Sequence, residues 1–307
     1  MTSLRLCLDS LEGLSVGDAL GAQFFVPGTS VRDLAAGRVP DGHWWWTDNT
    51  EMACSVADQL RQHGRIDQDQ LAFAFAGQFE PYRGYGAGAV VMLRQIREGA
   101  YWRDVARAAF DGQGSMGNGA AMRVAPLGAF YAGDSRTAAL QAMRSAEVTH
   151  AHGEGILGAV AVAVAAAEAG WARTVRDRPA PRELLDAVLA YLIDSRVKAG
   201  IERARELLGV DVAEAAYELG NGSQVLAQDT VPFALWVAAT HLHDYRSAIV
   251  TCVEAGGDVD TTCAIVGGIV AAHTGLGDGG IPSLWIERRE PLPDPLRRTP
   301  DQLGDPG

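Results

Sequence analysis

Only four of the 307 residues are cysteine, and Cys7, Cys54, Cys252 and Cys263 form no CxxC pair. That scarcity excludes a disulfide-stapled scaffold and a thiolate zinc cluster. Each cysteine falls in an apolar helical pattern, as buried free thiols in a reducing compartment do. Basic charge is also short: 26 Lys and Arg stand against 38 Asp and Glu, a net charge of −12. A general nucleic-acid binder is therefore not expected. The opening residues, MTSLRLCLDS, lack the long apolar core of an export signal. The most apolar stretch, 156–167, reads as too short and too Ala-rich to span a membrane. The expected setting is the cytoplasm, with no membrane partner. Period-two alternation and β-branched clusters are scarce, and no repeat of solenoid length occurs.

What remains is helical periodicity. Leu4, Leu8, Leu11 and Leu14 open an apolar stripe, and the runs 50–62, 68–79, 86–98, 119–131, 136–147, 153–170, 183–194, 229–241, 244–254 and 260–273 follow. Gly and Pro punctuate them at Pro27-Gly28, 112–119, Asn221-Gly222 and Pro282. The pattern predicts an all-α protein with one domain over 1–287. The segment 171–181 reads as a surface loop, and 288–307 as a loosely ordered Pro-rich tail.

Two acidic clusters stand out, Thr47-Asp48-Asn49-Thr50-Glu51 and Asp258 with Asp260, Thr261 and Thr262 behind Gly256-Gly257. Capping explains part of each, because Thr, Asp and Asn satisfy the free N–H groups of a first turn. It does not explain two carboxylates crowded beside a double glycine, which repel unless a cation offsets them. Hard oxygen donors suit Mg²⁺, Mn²⁺ or Ca²⁺. The loop 112–123, GQGSMGNGAAMR, has a composition that fits either a phosphate cradle or a plain connector. His150 reads as a hydrogen-bonding partner for a ligand, and His152 stays open between structural and binding roles. Trp44, Trp45 and Trp46 read as core or wall residues, one of them able to stack on a base or a guanidinium.

Five stretches together resemble the ADP-ribosylglycohydrolase family: GLSVGDALGAQFF at 13–25, WTDNTEM at 46–52, GNGAAMRVAPLG at 117–128, THAHGEG at 149–155 and AGGDVDTTCAIVGGIVAA at 255–272. The resemblance implies a compact orthogonal multi-helix bundle and two Mg²⁺ or Mn²⁺ ions. On the family pattern the metal ligands are Thr47, Asp48, Asn49, Asp258, Asp260 and Thr261. Ser115, Met116, Gly117, Asn118 and Gly119 would hold ADP-ribose, with His150 beside it.

The implied activity is removal of ADP-ribose from a modified protein side chain, arginine first, by water attack at the anomeric carbon of the distal ribose. Asp48 and Asp260 are the candidate bases, with Glu51 a third. Two positions depart from the family. Asn49 replaces the second aspartate of TDDT, so Asn49→Asp is expected to tighten metal binding and raise hydrolysis about tenfold. Phe25 stands where many relatives carry a Glu. A catalytically weakened ADP-ribose binder is therefore the rival reading.

Overall fold

The computed structural model describes residues 1–276 and 279–297. Among them there is no strand, only two isolated bridges, Trp44 to Arg289 and Gly117 to Leu226. The architecture is an all-α bundle, as the periodicity predicts.

Its centre is a pair of antiparallel helices, Ser3–Ala22 and Val259–Thr274. Glycines at every fourth position of the first helix let the two backbones touch. A Cβ on Gly13 would lie 2.4 Å from the Gly267 carbonyl oxygen, and one on Gly17 2.2 Å from that of Cys263. A Cβ on Gly21 would lie 2.7 Å from the Cα of Asp260. Small residues thus bring the end of one helix against the start of the other, a backbone approach that side chains of ordinary size would prevent.

The Ala-rich helix Gly153–Val175 packs beside this pair. It runs beyond the expected 170, so the first part of the anticipated loop at 171–181 is helical. At 23 residues it is long and apolar enough to cross a membrane by length and composition, contrary to the expectation from 156–167. However, 78% of its most apolar window is buried inside the molecule. The expected helix over 119–131 is broken into a 3₁₀ turn, Asn118–Ala120, and a helix, Ala125–Phe130. Pro126, in the first turn of the second piece, cannot continue a preceding helix, and buried Arg123 lies in the break. It turns inward to donate to the carbonyl oxygens of Gly119 (3.3 Å) and Ser145 (2.7 Å) and to Thr149 Oγ1 (3.0 Å).

The tail departs most from expectation. Residues 288–297 are strapped to the bundle, and 298–307 lie outside the described residues. The Trp44 N–H donates to the Arg288 carbonyl (2.8 Å), and the Glu290 N–H to that of Trp44 (2.8 Å). Arg289 pairs with Glu12, both buried. Glu290 takes the Arg83 guanidinium in a two-pronged pair at 2.6 and 2.9 Å. Leu292 and Leu296 enter the core. Pro and Arg content alone does not reveal that these side chains have partners waiting near Trp44.

On the far side, His243 Nδ1 and His273 Nε2 sit 2.9 Å apart. Burial, then the neighbouring His243 and arginines, push the His273 pKa down to about 4 from 6.5. The unfolded chain therefore binds this proton first. The stability contribution is complete above about pH 6.5 and is lost as pH falls toward 4. Urea unfolding at pH 5.5 should show a loss relative to pH 7.5 that is on the order of 1 kcal/mol smaller in His273→Gln than in the parent chain. Equal losses would assign the acid sensitivity elsewhere.

Candidate active site

The Asp48–His63 helix begins at Thr47, whose Oγ1 accepts from the Asn49 N–H at 3.3 Å. What fixes this start is Asp18, a fully buried carboxylate from the first helix. It accepts from Thr47 N (2.9 Å), Thr47 Oγ1 (2.6 Å), Asn49 Nδ2 (3.1 Å), Thr50 N (3.2 Å) and Thr50 Oγ1 (2.5 Å). The sequence reading did not single out Asp18. Its signal was a single charge in the small and apolar stretch from Leu14 to Ala22.

The second acidic helix start meets the first. Thr261 Oγ1 donates to Asn49 Oδ1 at 3.3 Å, across 212 residues of sequence. Asp260 Oδ1 accepts from the Thr261 N–H at 2.9 Å. Burial, then Asp18, Asp258 and Glu51, push Asp48 up to about 8. Burial, then Asp18 and Asp258, hold Asp260 well above the ordinary carboxylate range. Thr47, Asp48, Asn49, Asp258, Asp260 and Thr261 thus form one neighbourhood.

Asp258 ties this neighbourhood to the glycine-rich loop, since Asn118 Nδ2 donates to Asp258 Oδ2 at 2.7 Å and to Thr230 Oγ1 at 3.0 Å. The segment 221–226, which reads in the sequence only as a break, braces both sides. The Asn221 carbonyl accepts from Asp258 N (3.1 Å) and the Val225 carbonyl from Asn118 N (3.1 Å). Val225 holds φ +58°, a left-handed conformation uncommon for a β-branched residue. Ser115 Oγ accepts from Gly117 N (3.1 Å), and the Met116 carbonyl from Ala227 N (2.9 Å).

His150 lies beneath the loop. Its Nε2 is 3.5 Å from where a Cβ on Gly117 would be, and its Cε1 is 3.4 Å from one on Gly119. Burial, then Arg123, push its pKa down to about 3, so the ring is neutral. Its Nδ1 meets Thr149 Oγ1 at 2.8 Å. His152 caps the Ala-rich helix, accepting from the Glu154 N–H at 3.1 Å.

Glu51, the third candidate base, has hydrogen-bond partners outside the two acidic helix starts. It accepts at Oε2 from the Tyr85 hydroxyl (2.5 Å) and Glu80 N (3.2 Å), and its Oε1 lies 3.9 Å from Arg83 Nε. Phe25 ends the 3₁₀ turn after the first helix and is exposed.

The donor set fits a hard divalent cation. Among the described residues no Lys or Arg forms an ion pair with Asp18, Asp48, Asp258 or Asp260. Crowded acids without a paired base are what a dication offsets. No set of three or more His, Cys, Asp and Glu among those residues converges closely enough to hold an ion by itself. Hydroxyl and amide oxygens, with water, would have to complete the shell.

The family profile for ADP-ribosylglycohydrolase matches residues 3–305. This chain belongs to the ADP-ribosylglycohydrolase family. ADP-ribosylhydrolase ARH3 of Gallus gallus is 30% identical, over 91% of this chain and 88% of its own length. The ADP-ribosyl-[dinitrogen reductase] glycohydrolase of Rhodospirillum rubrum is 27% identical, over 96% and 94%. A solved structure titled ADP-ribosylglycohydrolase-related protein complex superposes with a TM-score of 0.64 at 26% identity, covering 94% of this chain and 93% of that one. As an ADP-ribosylglycohydrolase, the chain is a glycosidic-bond hydrolase. The bundle seen here is the family's fold.

Proposed function

We propose that this ADP-ribosylglycohydrolase, in the cytoplasm, removes ADP-ribose from a modified protein side chain, arginine first, using two Mg²⁺ or Mn²⁺ ions. The observation that carries this is the meeting of two acidic helix starts at Asn49 and Thr261, with Asn118 joining the glycine-rich loop to Asp258. Thr47, Asp48, Asn49, Asp258, Asp260 and Thr261 would hold the ions, which would supply Lewis acidity toward water and ribose hydroxyls.

The chain's own groups do the rest. Loop 115–119 binds the ligand, and Gly117 and Gly119 leave room for a pyrophosphate over neutral His150. Asp48 or Asp260 accepts the proton of the attacking water. The surrounding carboxylates favour the positive charge that builds on the ribose as the bond to the side chain breaks. Release of ADP-ribose from Arg-, Ser- and Thr-linked substrates, with and without Mg²⁺ or Mn²⁺, tests this. Asp260→Ala should lower kcat/KM by about 10³-fold or more and abolish Mg²⁺ heat in calorimetry. Ion binding that survives intact would sink the assignment.

The structure changes the expectation for Asn49. Its amide donates to Asp18 Oδ1 (3.1 Å) and to Thr47 Oγ1 (2.9 Å). A carboxylate there donates nothing and faces Asp18 with like charge. Asn49→Asp should therefore destabilise the metal-free protein by about 1–3 kcal/mol. Millimolar Mg²⁺ should raise the melting temperature of the variant more than that of the parent. An unchanged metal-free melting temperature would show that the Asp18–Asn49 contact carries no weight.

A further inference from the structure

A buried cation sits beneath the glycine-rich loop. Arg123 is 0% exposed, yet among the described residues no Asp or Glu forms an ion pair with it. A guanidinium taken out of water without a carboxylate is costly unless neutral dipoles surround it. Here they do. Nη1 donates to the Gly119 carbonyl (3.3 Å) and to Met52 Sδ (3.6 Å). Nη2 donates to the Ser145 carbonyl (2.7 Å) and to Thr149 Oγ1 (3.0 Å). The guanidinium carbon also lies 4.5 Å from the centre of the Phe75 ring.

The bond to Thr149 settles where the next proton goes. A guanidinium can only donate, so Thr149 Oγ1 is the acceptor there. Thr149 is itself buried, and a buried hydroxyl hydrogen needs an acceptor of its own. Among the described residues its remaining hydrogen-bond partner is His150 Nδ1, at 2.8 Å. Nδ1 is therefore the bare nitrogen. The ring is neutral, because burial and then the Arg123 charge disfavour its protonation, so its one proton lies on Nε2. Nε2 makes no hydrogen bond among the described residues, although His150 is only 8% exposed. It faces the loop, 3.5 Å from where a Cβ on Gly117 would be and 3.6 Å from one on Gly119. At the other edge of the ring, a Cβ on Gly155 would lie 3.0 Å from Cδ2. Glycines on two sides thus seat the ring with its unpartnered donor toward the loop.

We propose that Arg123, acting through Thr149, is a positioning residue that fixes His150 as an Nε2–H donor to a phosphate oxygen of the ligand on loop 115–119. This rests on the ADP-ribose binding proposed above. The Arg123 charge polarises a chain of two hydrogen bonds, which strengthens the donor at its far end. An acidic protein thereby gains a phosphate donor whose protonation does not change near neutral pH.

Calorimetry of ADP-ribose with the parent chain in Mg²⁺ stands or falls with the function itself. Nitrogen NMR of protein labelled at histidine reads the ring directly at about pH 7. The parent should show His150 as a single tautomer protonated at Nε2, and ADP-ribose should shift that N–H proton downfield. A neutral histidine without such partners populates both tautomers. A mixture in the parent, a proton on Nδ1, or no shift with bound ADP-ribose overturns the proposal without recourse to any variant. Arg123→Met replaces the guanidinium by an apolar chain, and Thr149→Val removes the hydroxyl. Each should let the Nδ1–H tautomer appear and weaken ADP-ribose about tenfold. Thr149→Ser should restore both readings. A merely structural role would lower the melting temperature and leave the tautomer as it was. An unchanged tautomer or an unchanged affinity in the folded variants overturns the positioning role while leaving the hydrolase intact. A parent chain that binds no ADP-ribose overturns both.

Discussion

Asp18→Ala should cost about 3–5 kcal/mol of stability and abolish high-affinity ion binding. The carboxylate accepts five hydrogen bonds from the start of the Asp48 helix. Alanine would leave two backbone N–H groups, two hydroxyls and an amide without that acceptor in a buried place. Each such loss is worth about 1–3 kcal/mol in isolation, partly recovered where water enters the vacated space. The second consequence is geometric. Among the described residues, Asp18 supplies the side-chain hydrogen bonds from the first helix that hold Thr47 and Asn49. Urea unfolding and Mg²⁺ calorimetry measure the two effects separately. Asp18→Asn keeps one acceptor oxygen and should fall between. A loss under about 1 kcal/mol with unaltered ion binding would show that Asp18 is only a core acid.

Gly17→Val is expected to prevent folding or to cost more than about 4 kcal/mol. A Cβ at that place meets the Cys263 carbonyl oxygen at 2.2 Å and its carbon at 2.7 Å. Both are backbone atoms of the facing helix, so no rotamer change relieves the clash and the helices must separate. Separation there moves Asp18, the next residue of the first helix, and Asp260, three residues before Cys263. Gly77→Ala is the control. It lies in the helix Gln68–Gln78 with nothing within 4 Å of its added methyl, and should stabilise by about 0.5–1 kcal/mol. Thermal melts of the two variants beside the parent decide the matter. A folded Gly17→Val protein with ordinary stability would refute the close-packing account.

Sequence made much of this legible, for physical reasons. Buried helices announce themselves by period, and the structure adds caps at Asp67, Asp134 and Asp244, each of which accepts an N–H of its first turn. The two acidic clusters were visible because their oxygens exceed what a cap uses. Helices Arg196–Glu206 and Val212–Leu219 were missed, the first because its charged face hides the apolar stripe of Val197, Ile201 and Ala204. Asp18 was missed because its partners are 29 to 32 residues away in sequence. Chain adjacency of Glu51 to Asp48 does not reveal that Tyr85 donates to its carboxylate. The strap at 288–290 escaped because a bridge to Trp44 leaves no periodic trace.

The pairing of the first helix with Val259–Thr274 also constrains how the protein comes into being. Ser10 Oγ donates to the Gly268 carbonyl across 258 residues of chain. At typical synthesis rates the first helix waits roughly 13–50 s for that partner to be made. Until then its glycine face is uncovered, although the donors to Asp18 at Thr47, Asn49 and Thr50 are already made. Nascent chains stopped before residue 259 lack Asp260 and Thr261, and with them most of the second acidic helix start. Contacts of such long range also slow folding. The helix that covers the glycine face of the first is thus made late, and the contact of Thr261 with Asn49 forms only after it.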